Sequence, residues 1–327
     1  MGLSIHFSLL LSSLPILGEW NQEKERVALK LKVRKNLFFK VIFFLLSLCI
    51  LVSSFYLYSF YKEKKLFSNL KREILDLTTS FEGEISFLVK KLRFPYSKIS
   101  SREELIFPAA SLIKLPLVAV ALKAIGEGKI SSQEYITIKK EDIVGGSGII
   151  KKMKTPFKVH FERLCELAIS YSDNTATNKI IDILGFDYIN ENFKKIGLKN
   201  TFLERKMMDF RKRSRGIENY TTTLDITYLL EKIYRGGILD KDASKVLLSF
   251  LKKQKVRDRL PRYLPKEIIV AHKTGLEKGV VHDAGIVFTS RGDYIICVLT
   301  KGVKNYERAK KIIAEISLLA YTFYQRL

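Results

Sequence analysis

Cysteine and histidine are scarce in this chain of 327 residues, which has three cysteines and four histidines. Cys49 lies in a long apolar run, and Cys165 and Cys297 lie in shorter ones, so all three are expected to pack as small hydrophobic side chains. Such cysteines do not form a disulfide framework. The histidines show none of the spacings, such as H-E-x-x-H, that are typical of metal sites. We therefore expect no metal site, and no motif indicates a cofactor.

Acidic residues are also few, because 34 Asp and Glu stand against 57 Lys and Arg, which gives a formal net charge of +23. A basic chain can bind nucleic acid, but here the basic residues are scattered instead of clustering with aromatic residues, and no nucleic-acid-binding motif is present. The charge fits an anionic membrane surface or cell wall equally well. Nucleic acid is therefore not expected as a partner.

Charge is missing altogether from residues 41–61, a run of 21 mostly apolar positions. This is about the length that spans the hydrocarbon core of a bilayer, and three tyrosines gather at its C-terminal end, as aromatic residues do at membrane interfaces. Seven basic residues precede the run over 24–40 and five follow it over 62–72. This bias predicts a single-pass protein of the cell membrane whose main domain lies on the extracytoplasmic side.

A cleaved signal peptide is the alternative for residues 41–61. The run is long for a signal peptide, no A-x-A-like site follows it, and "LSLC" has Leu48 where a lipid-attachment box needs a small residue. The apolar start of the chain, residues 1–18, is either an interfacial piece or upstream sequence. The sequence thus predicts a basic segment over 1–40, an uncleaved anchor over 41–61 and a main domain over 62–327.

The main domain shows strand patterns near both ends and helix patterns between them. Helical spacing covers 66–79, a strand pattern over 83–92 turns at Pro95, and residues 108 to about 260 are mostly helical. Three β-rich segments follow, "EIIVAHKTG", "DAGIVFTS" and "DYIICVLTK", before a last helix over 306–324. This order predicts an α+β fold in which one sheet is assembled from both termini and a helical subdomain is inserted.

The pattern S-x-x-K occurs four times, and one copy, Ser111–Lys114 in "FPAASLIKLPL", stands at the start of an apolar helix. At this spacing the hydroxyl and the ammonium share one helix face, and the helix N-terminus favours an alkoxide at Ser111. Burial makes a lysine a usable base. The pair is therefore a candidate nucleophile with its base, and a helix cap beside a solvent-reaching lysine is the structural alternative.

Two further motifs lie downstream of this pair. "SDN" at 172–174 falls between two helices, where one of its residues is expected to cap the second helix. "KTG" at 273–275 ends a β-rich segment, and Gly275 would let a ligand lie close along that strand edge. Each motif alone is weak evidence, because these residue types are common at helix caps and strand ends.

S-x-x-K, S-D-N and K-T-G in this order are the motif set of class A β-lactamases and penicillin-binding proteins. Ser111 precedes Ser172 by 61 residues, and Ser172 precedes Lys273 by 101, and these gaps also look like that family. With "FPAAS", "SDNTATN", "GLKNT", "NYTT" and "AHKTG", the chain resembles the class A β-lactamase-like serine hydrolases over about residues 66–327. The resemblance implies the β-lactamase/D,D-peptidase-like α+β fold, an antiparallel sheet flanked by helices with an inserted all-helical subdomain, and it implies no cofactor.

The resemblance also implies a set of catalytic residues. Ser111 would attack the carbonyl of a small-molecule β-lactam or of an acyl-D-alanyl peptide and form an ester, and Lys114 would take its proton, directly or through a relay. Ser172 would pass a proton to the leaving nitrogen, with Lys273 close by to hold it poised. Asp173 is expected to be structural.

Substrate-binding groups are implied in the same way. Asn174 would hydrogen-bond the amide side chain of the substrate, and Thr274, together with the lysine before it, would bind the carboxylate. Gly275 would leave room for the ligand along the strand. The backbone N–H groups of Ser111 and Leu276 would form the oxyanion hole.

One family pattern is broken in this chain. Class A enzymes carry T-x-L-x-R-x-E, whose glutamate serves deacylation. The first three consensus positions of "TFLERKM" (201–207) fit, but Met207 stands where the glutamate belongs, and a thioether cannot activate water. Glu204 and Asp209 are nearby carboxylates that are out of register.

Three functions remain open from the sequence. The first is β-lactam hydrolysis by a class A-type serine enzyme with a displaced deacylation base, for which Asp209 is a candidate. The second is a D,D-peptidase or penicillin-binding-like acyl-serine enzyme, acting on peptidoglycan peptides and deacylating β-lactams slowly. The third is a non-catalytic cell-wall-binding domain, which the intact motif serines and lysines disfavour. A rival nucleophile at Ser147 is disfavoured because "GGSGI" lacks the second glycine of G-x-S-x-G.

Overall fold

The computed structural model describes three stretches of the chain, residues 15–94, 97–237 and 241–326. This part of the chain forms two units, the first ending at Lys62 and the second beginning at Glu63. The turn expected at Pro95 and most of the apolar start, residues 1–14, lie outside the described residues.

The first unit is helical as far as it is described. Helix α1 (Pro15–Thr78) begins here, and its side chains from Val41 to Tyr61 are exposed. Among the described residues it is the one helix that is long and apolar enough to cross a membrane, with a mean hydropathy of 2.4 in its most apolar window. A membrane anchor and a signal sequence both meet this criterion.

Helix α1 does not end at the charged stretch "YKEKKL", although the sequence pattern predicted a separate helix over 66–79. The chain has neither glycine nor proline between Gly18 and Gly83. These are the two residues with the poorest helix propensity, so neither of them interrupts the helix over this range. Charged side chains that are mostly exposed are compatible with a helix. The predicted helix is therefore the last part of α1.

The second unit is built around an antiparallel sheet. Its described strands are β1 (Glu84–Lys91), β2 (Lys98–Ser101), β7 (Val270–Glu277), β8 (Val280–Val287) and β9 (Tyr294–Lys301). They have the order β2-β1-β9-β8-β7. Strands from the two ends of the unit pair directly, with Phe87 of β1 opposite Val298 of β9. The sheet is thus assembled from both termini, as expected, and β7 lies at its edge within the described part of the chain.

The two faces of the sheet carry separate cores, because side chains alternate along each strand. On β9, for example, Ile296 belongs to one core and Cys297 to the other. Helix α9 (Tyr306–Arg326) and the end of α1 cover the first face, where Phe67 meets Phe323 edge to face with 4.7 Å between ring centroids. The inserted helices cover the second face.

The inserted part is mostly helical, as expected. Its helices are α2 (Lys114–Gly126), α3 (Phe161–Ser170), α4 (Asn174–Leu184), α5 (Phe186–Ile196), α6 (Phe210–Ser214), α7 (Thr223–Arg235) and α8 (Lys241–Lys252). Helix α2 is buried over most of its length and lies at the centre of this layer. It therefore carries its first residue, Lys114, into the interior of the domain.

Two small sheets in this region were not predicted from the sequence. One pairs β3 (Phe107–Pro108) with β6 (Tyr220–Thr221), and the other pairs β4 (Tyr135–Ile138) with β5 (Phe157–His160). Strands of two to four residues are too short to show a period of two, so the sequence pattern could not distinguish them from loops. The first of these sheets lies directly before the segment that carries Ser111.

Candidate active site

Ser111 lies in a short 3-10 turn, Ala110–Ile113, that leads into α2. The sequence predicted the serine at the start of the α-helix, but the α-helix begins at Lys114. Ala110 has a φ of 45°, a left-handed conformation that is costly for a residue with a side chain and is found mainly where function constrains the backbone. Ser111 is partly exposed and lines a cavity of about 330 Å³.

Lys114 is fully buried, and acceptors surround its amine. Its Nζ donates to the Ser172 carbonyl oxygen at 2.6 Å and to Asn174 Oδ1 at 2.7 Å, and it lies 3.2 Å from Ser172 Oγ. Burial lowers the pKa of Lys114 to about 7, against a smaller raising effect of Asp173. An amine with this pKa is available as a base near neutral pH.

Ser172 is held in place by the helix that follows it. Asp173 caps α4, where its carboxylate accepts the N–H of Ala176 at 3.0 Å, as one residue of the S-D-N motif was expected to do. Its other oxygen accepts the N–H groups of Ile149 at 2.7 Å and Ile150 at 2.9 Å. With a φ of 52°, Ser172 turns its hydroxyl to a point between two lysines.

Lys273 reaches the same hydroxyl from β7. Its Nζ donates to Ser172 Oγ at 3.0 Å and to the Thr274 carbonyl oxygen at 2.8 Å. Burial, and then the neighbouring Lys114 amine, hold the pKa of Lys273 well below its usual value, although Asp283 raises it. Two buried amines therefore meet at one hydroxyl, and their protonation is coupled.

Three segments border the cavity in front of Ser111: the loop before α6 with α6 itself, the end of β7 with the residue after it, and the turn around Gly146. Of the substrate-binding residues predicted from the sequence, Asn174 and Leu276 line it, whereas Thr274 and Gly275 are buried in β7 and do not. A Cβ on Gly275 would come within 3.1 Å of His282. The glycine therefore allows close packing against the neighbouring strand β8, and its role in leaving room for a ligand stays a prediction.

Met207 lines the cavity on a stretch of backbone that Asn178 fixes. The Met207 N–H donates to Asn178 Oδ1 at 2.7 Å, and the Met207 carbonyl accepts from Asn178 Nδ2 at 3.1 Å. Asp209 instead caps α6, accepting the N–H of Lys212 at 2.9 Å, and Glu204 is exposed. Neither of these carboxylates lines the cavity.

Glu277 is the one carboxylate among the described residues that lines this cavity, and the sequence analysis did not single it out. Its Oε1 accepts from Arg205 Nη2 at 2.6 Å and forms an ion pair with Arg213, whose Nη1 lies 3.0 Å away. Arg205, which fits the family pattern, also donates to both oxygens of Glu218, at 2.8 and 3.0 Å. The only sequence signal for Glu277 is its place two residues after K-T-G.

Metal ligation is not indicated by the site. No group of three or more His, Cys, Asp or Glu side chains that could hold a metal ion occurs in the three described stretches. The polar groups that meet at the Ser172 hydroxyl are instead the two lysine amines, and the Asn174 amide accepts from one of them.

The fold and this order of motifs define one class of protein, the β-lactamase-like serine hydrolases, which also includes penicillin-binding proteins. Residues 69–324 match the model of the beta-lactamase enzyme family. The chain belongs to that family.

Curated relatives cover only part of the chain. Beta-lactamase AER-1 of Aeromonas hydrophila is 31% identical over 172 residues, which make up 52% of this chain and 57% of the relative. Beta-lactamase BRO-1 of Moraxella catarrhalis is 30% identical over 179 residues, which make up 54% of this chain and 57% of the relative. The chain thus spans little more than half the length of these relatives.

Solved structures show the same fold over nearly their whole length. A beta-lactamase from Sphaerobacter thermophilus superposes with a TM-score of 0.73 and 26% identity, covering 80% of this chain and 98% of that one. PBP-A superposes with a TM-score of 0.73 and 30% identity, covering 79% of this chain and 97% of that one. The predicted α+β fold is therefore confirmed.

Proposed function

We propose that this protein is an acyl-serine hydrolase in which β-lactams acylate Ser111. The observation that carries the proposal is that Ser111 lines the cavity while Lys114 and Lys273, both buried, share the hydroxyl of Ser172. Acyl transfer to serine requires a nucleophile that a ligand can reach and a connected set of groups that carry protons.

In the proposed acylation, Ser111 Oγ bonds to the carbonyl carbon of the β-lactam, and the C–N bond of the ring breaks. Lys114 takes the serine proton, since burial lowers its pKa to about 7. The Ser172 hydroxyl lies 3.2 Å from the Lys114 amine, so the proton can pass through it to the ring nitrogen. Lys273, at 3.0 Å from the same hydroxyl, keeps it oriented as a donor.

The substrate is held in this proposal by Asn174 and by β7. Asn174 lines the cavity and is fixed by Lys114 and by the Gly145 carbonyl, to which its Nδ2 donates at 3.0 Å. Leu276 also lines the cavity, and its N–H, together with that of Ser111, would stabilise the oxyanion. Lys273 and Thr274 would bind the substrate carboxylate.

Two fates of the acyl-enzyme distinguish two candidate functions. In a class A-type β-lactamase, water releases the product and regenerates Ser111. In a D,D-peptidase or penicillin-binding-like enzyme, the β-lactam adduct persists, and acyl-D-alanyl peptides are the natural substrates. Met207 favours the second, because its thioether lines the cavity where a base is needed. PBP-A is described, as a leucine-to-glutamate mutant, in an acyl-enzyme complex with penicillin G.

We further propose that residues 41–61 anchor the protein in the cell membrane and that the domain over 62–327 acts on the extracytoplasmic side. The exposed apolar side chains of α1 and the excess of basic residues before them support this placement. Peptidoglycan peptides and β-lactams would both reach the domain there.

The test uses the full-length chain in detergent with a chromogenic cephalosporin and a fluorescent penicillin. We expect a covalent adduct in the wild type and in Ser147→Ala, which alters a second serine of the same cavity. In Ser111→Ala, acylation should fall by at least about 10⁴-fold, because the nucleophile is gone. Fast turnover of the cephalosporin would support the β-lactamase, and a lasting adduct the penicillin-binding-like enzyme. Neither adduct nor turnover in the wild type would overturn the proposal in favour of a non-catalytic domain.

A further inference from the structure

Glu63 connects one end of the central sheet to the place where the uncharged run 41–61 ends. It is the first residue of the second unit and follows Tyr61 by two positions, so the chain allows at most about 7 Å between them. Both Glu63 carboxylate oxygens accept from Lys91 Nζ at 2.9 Å, and Oε1 also accepts from Ser97 Oγ at 3.0 Å. The end of β1 is therefore held close to the end of the proposed anchor.

The strands β7, β8 and β9 each have one end at the same level as the end of β1. Lys91, the last residue of β1, is opposite Tyr294, the first of β9. Val287, the last residue of β8, is opposite both Tyr294 and Val270, the first of β7. We call the end of the sheet marked by these four residues the proximal end, and the other end, which includes Glu277, the distal end. The eight residues of β7 separate the two ends by about 23 Å.

A second cavity, of about 420 Å³, adjoins the proximal end at the start of β7. Three of its seven lining residues are basic, Lys252, Arg257 and Lys266, and one, Glu267, is acidic. The three basic residues are exposed, and no ion pair joins them to a carboxylate in the described part of the chain. Lys252 also marks the position of the cavity, because its Nζ lies 4.6 Å from the ring centroid of Phe288, the residue after β8.

Three basic residues at the distal end are, by contrast, paired within the protein. Glu84, the first residue of β1, forms ion pairs with Arg102 at 3.9 Å and with Lys301 at 3.2 Å. Glu82 lies 3.9 Å from Lys304. Carboxylates therefore offset these basic charges, whereas the three basic side chains of the second cavity remain available to an external anion.

The proximal end also exposes apolar side chains beside basic ones. Phe94 is 73% exposed and Ile269 is 51% exposed. Arg93, next to Phe94, and Arg291, in the turn between β8 and β9, are exposed as well. Surfaces that bind bilayers combine apolar side chains, which enter the interfacial layer, with basic side chains, which meet anionic headgroups. The composition of the proximal end therefore matches an anionic membrane surface.

We propose that the second cavity binds the headgroup of an anionic phospholipid and that the proximal end of the sheet lies against the membrane. Its three basic side chains hold the lipid phosphate, while Phe94 and Ile269 enter the interfacial layer. This inference rests on the proposed anchoring through residues 41–61. It keeps the distal end, where Glu277 lines the cavity that contains Ser111, about 23 Å from the headgroups.

The first experiment locates the membrane surface on the full-length chain in nanodiscs of phosphatidylcholine and phosphatidylglycerol. A fluorophore is attached at Tyr61→Cys, Ser290→Cys or Ser80→Cys, after Cys49→Ser removes the exposed native thiol. Ser290 lies in the turn between β8 and β9, and Ser80 lies before β1 at the distal end. A nitroxide near the top of the lipid acyl chain should quench the labels at Tyr61 and Ser290 strongly and the label at Ser80 weakly, because the length of the sheet separates Ser80 from the membrane.

The second experiment tests the cavity with the label at Ser290. The nitroxide is placed on phosphatidylglycerol or on phosphatidylcholine at the same mole fraction, and the ratio of the two quenching efficiencies is measured. We expect a ratio of about five or more in the wild type, since each basic side chain at an anionic surface contributes about fivefold to lipid affinity. In the cavity variant, which replaces all three basic residues by glutamine, the ratio should fall to about one. This variant is K252Q, R257Q and K266Q.

A matched control variant removes the same charge from other exposed positions of the domain and should keep the wild-type ratio. It replaces three lysines by glutamine: K158Q, K194Q and K199Q. The ratio is the informative quantity, because both lipids meet the same fraction of folded protein. If the cavity variant keeps the wild-type ratio, or the control variant loses it to the same extent, the cavity does not bind the lipid.

The labels separate this inference from the anchoring on which it rests. If the label at Tyr61 is not quenched, the proposed anchor fails, and the inference fails with it. If Tyr61 is quenched but Ser290 is quenched no more than Ser80, the anchor holds and the proximal end does not face the membrane. A wild-type ratio of one, with inorganic phosphate bound to the cavity in detergent, would assign the cavity to a free anion and overturn the proposal.

Discussion

The two sides of the cavity differ in how their chemistry is supported by the fold. On the acylation side, Lys114, Ser172 and Lys273 come from α2, from the turn before α4 and from β7, and their side chains meet in the buried interior. On the deacylation side, the residues belong to one loop, and Met207 is fixed through its backbone by Asn178. The first side depends on side chains from three elements, whereas Met207 on the second side is held through main-chain contacts.

Under the proposed function, this difference would allow deacylation to be lost without loss of the fold. A change at Lys114 leaves buried acceptors unpaired, because three of its contacts are in the interior. At Met207, by contrast, the contacts that hold the loop are made by main-chain atoms, which any residue except proline provides. The loop can therefore carry a base or lack one while its course stays the same.

The strongest test of the acylation side is Lys114→Gln. Acylation should fall by about 10³-fold, because the base is lost, while Lys123→Gln on the same helix should have no effect. In the wild type, acylation should decline as the pH falls through about 7, since Lys114 is then protonated. The rate of adduct formation is measured for the two variants and, for the wild type, over pH 5–9. A wild-type profile that is flat from pH 5 to 9 would contradict the role of Lys114 as base.

The sharpest test of the deacylation side is Met207→Glu. A carboxylate at this lining position can activate water, so the lifetime of the penicillin adduct should shorten by about 10²-fold. Met207→Gln has the same shape and no base, and its adduct should persist as in the wild type. Mass spectrometry of the adduct over time measures the lifetime. Equal lifetimes in the two variants would show that this position does not limit deacylation.

The smallest effect is expected at Asp209. Because its carboxylate caps α6, Asp209→Ala should lower the free energy of unfolding by about 1 kcal/mol, while Asp209→Asn keeps the cap. Thermal unfolding measures the loss of stability in Asp209→Ala. The adduct lifetime should be unchanged in both variants. A longer lifetime in Asp209→Asn would instead identify Asp209 as the displaced base and would remove the contrast between the two sides.

Apart from the residues that the family motifs indicate, the features that could be predicted from the sequence are those whose neighbours in space are also neighbours in the chain. The cap at Asp173 and the strands around Lys273 follow from short patterns. The contact of Glu277 with Arg205 joins residues 72 positions apart, and no local pattern indicates it. The absence of the glutamate at position 207 could be recognised in the sequence because the family pattern places one there. The hydrogen bonds between Asn178 and the backbone of Met207 could not be predicted without the fold.

Burial of Lys114 has a consequence for the stability of the whole domain. Its pKa is about 7 in the folded protein against 10.5 in a solvated lysine. Between these values the unfolded chain binds a proton that the folded chain does not, so the contribution of Lys114 to the free energy of unfolding increases as the pH rises through that window. Mild alkali thus leaves the amine unprotonated, as the proposed role as base requires, and favours the native state through the same proton. At neutral pH and below, burial of this lysine lowers the free energy of unfolding of the domain.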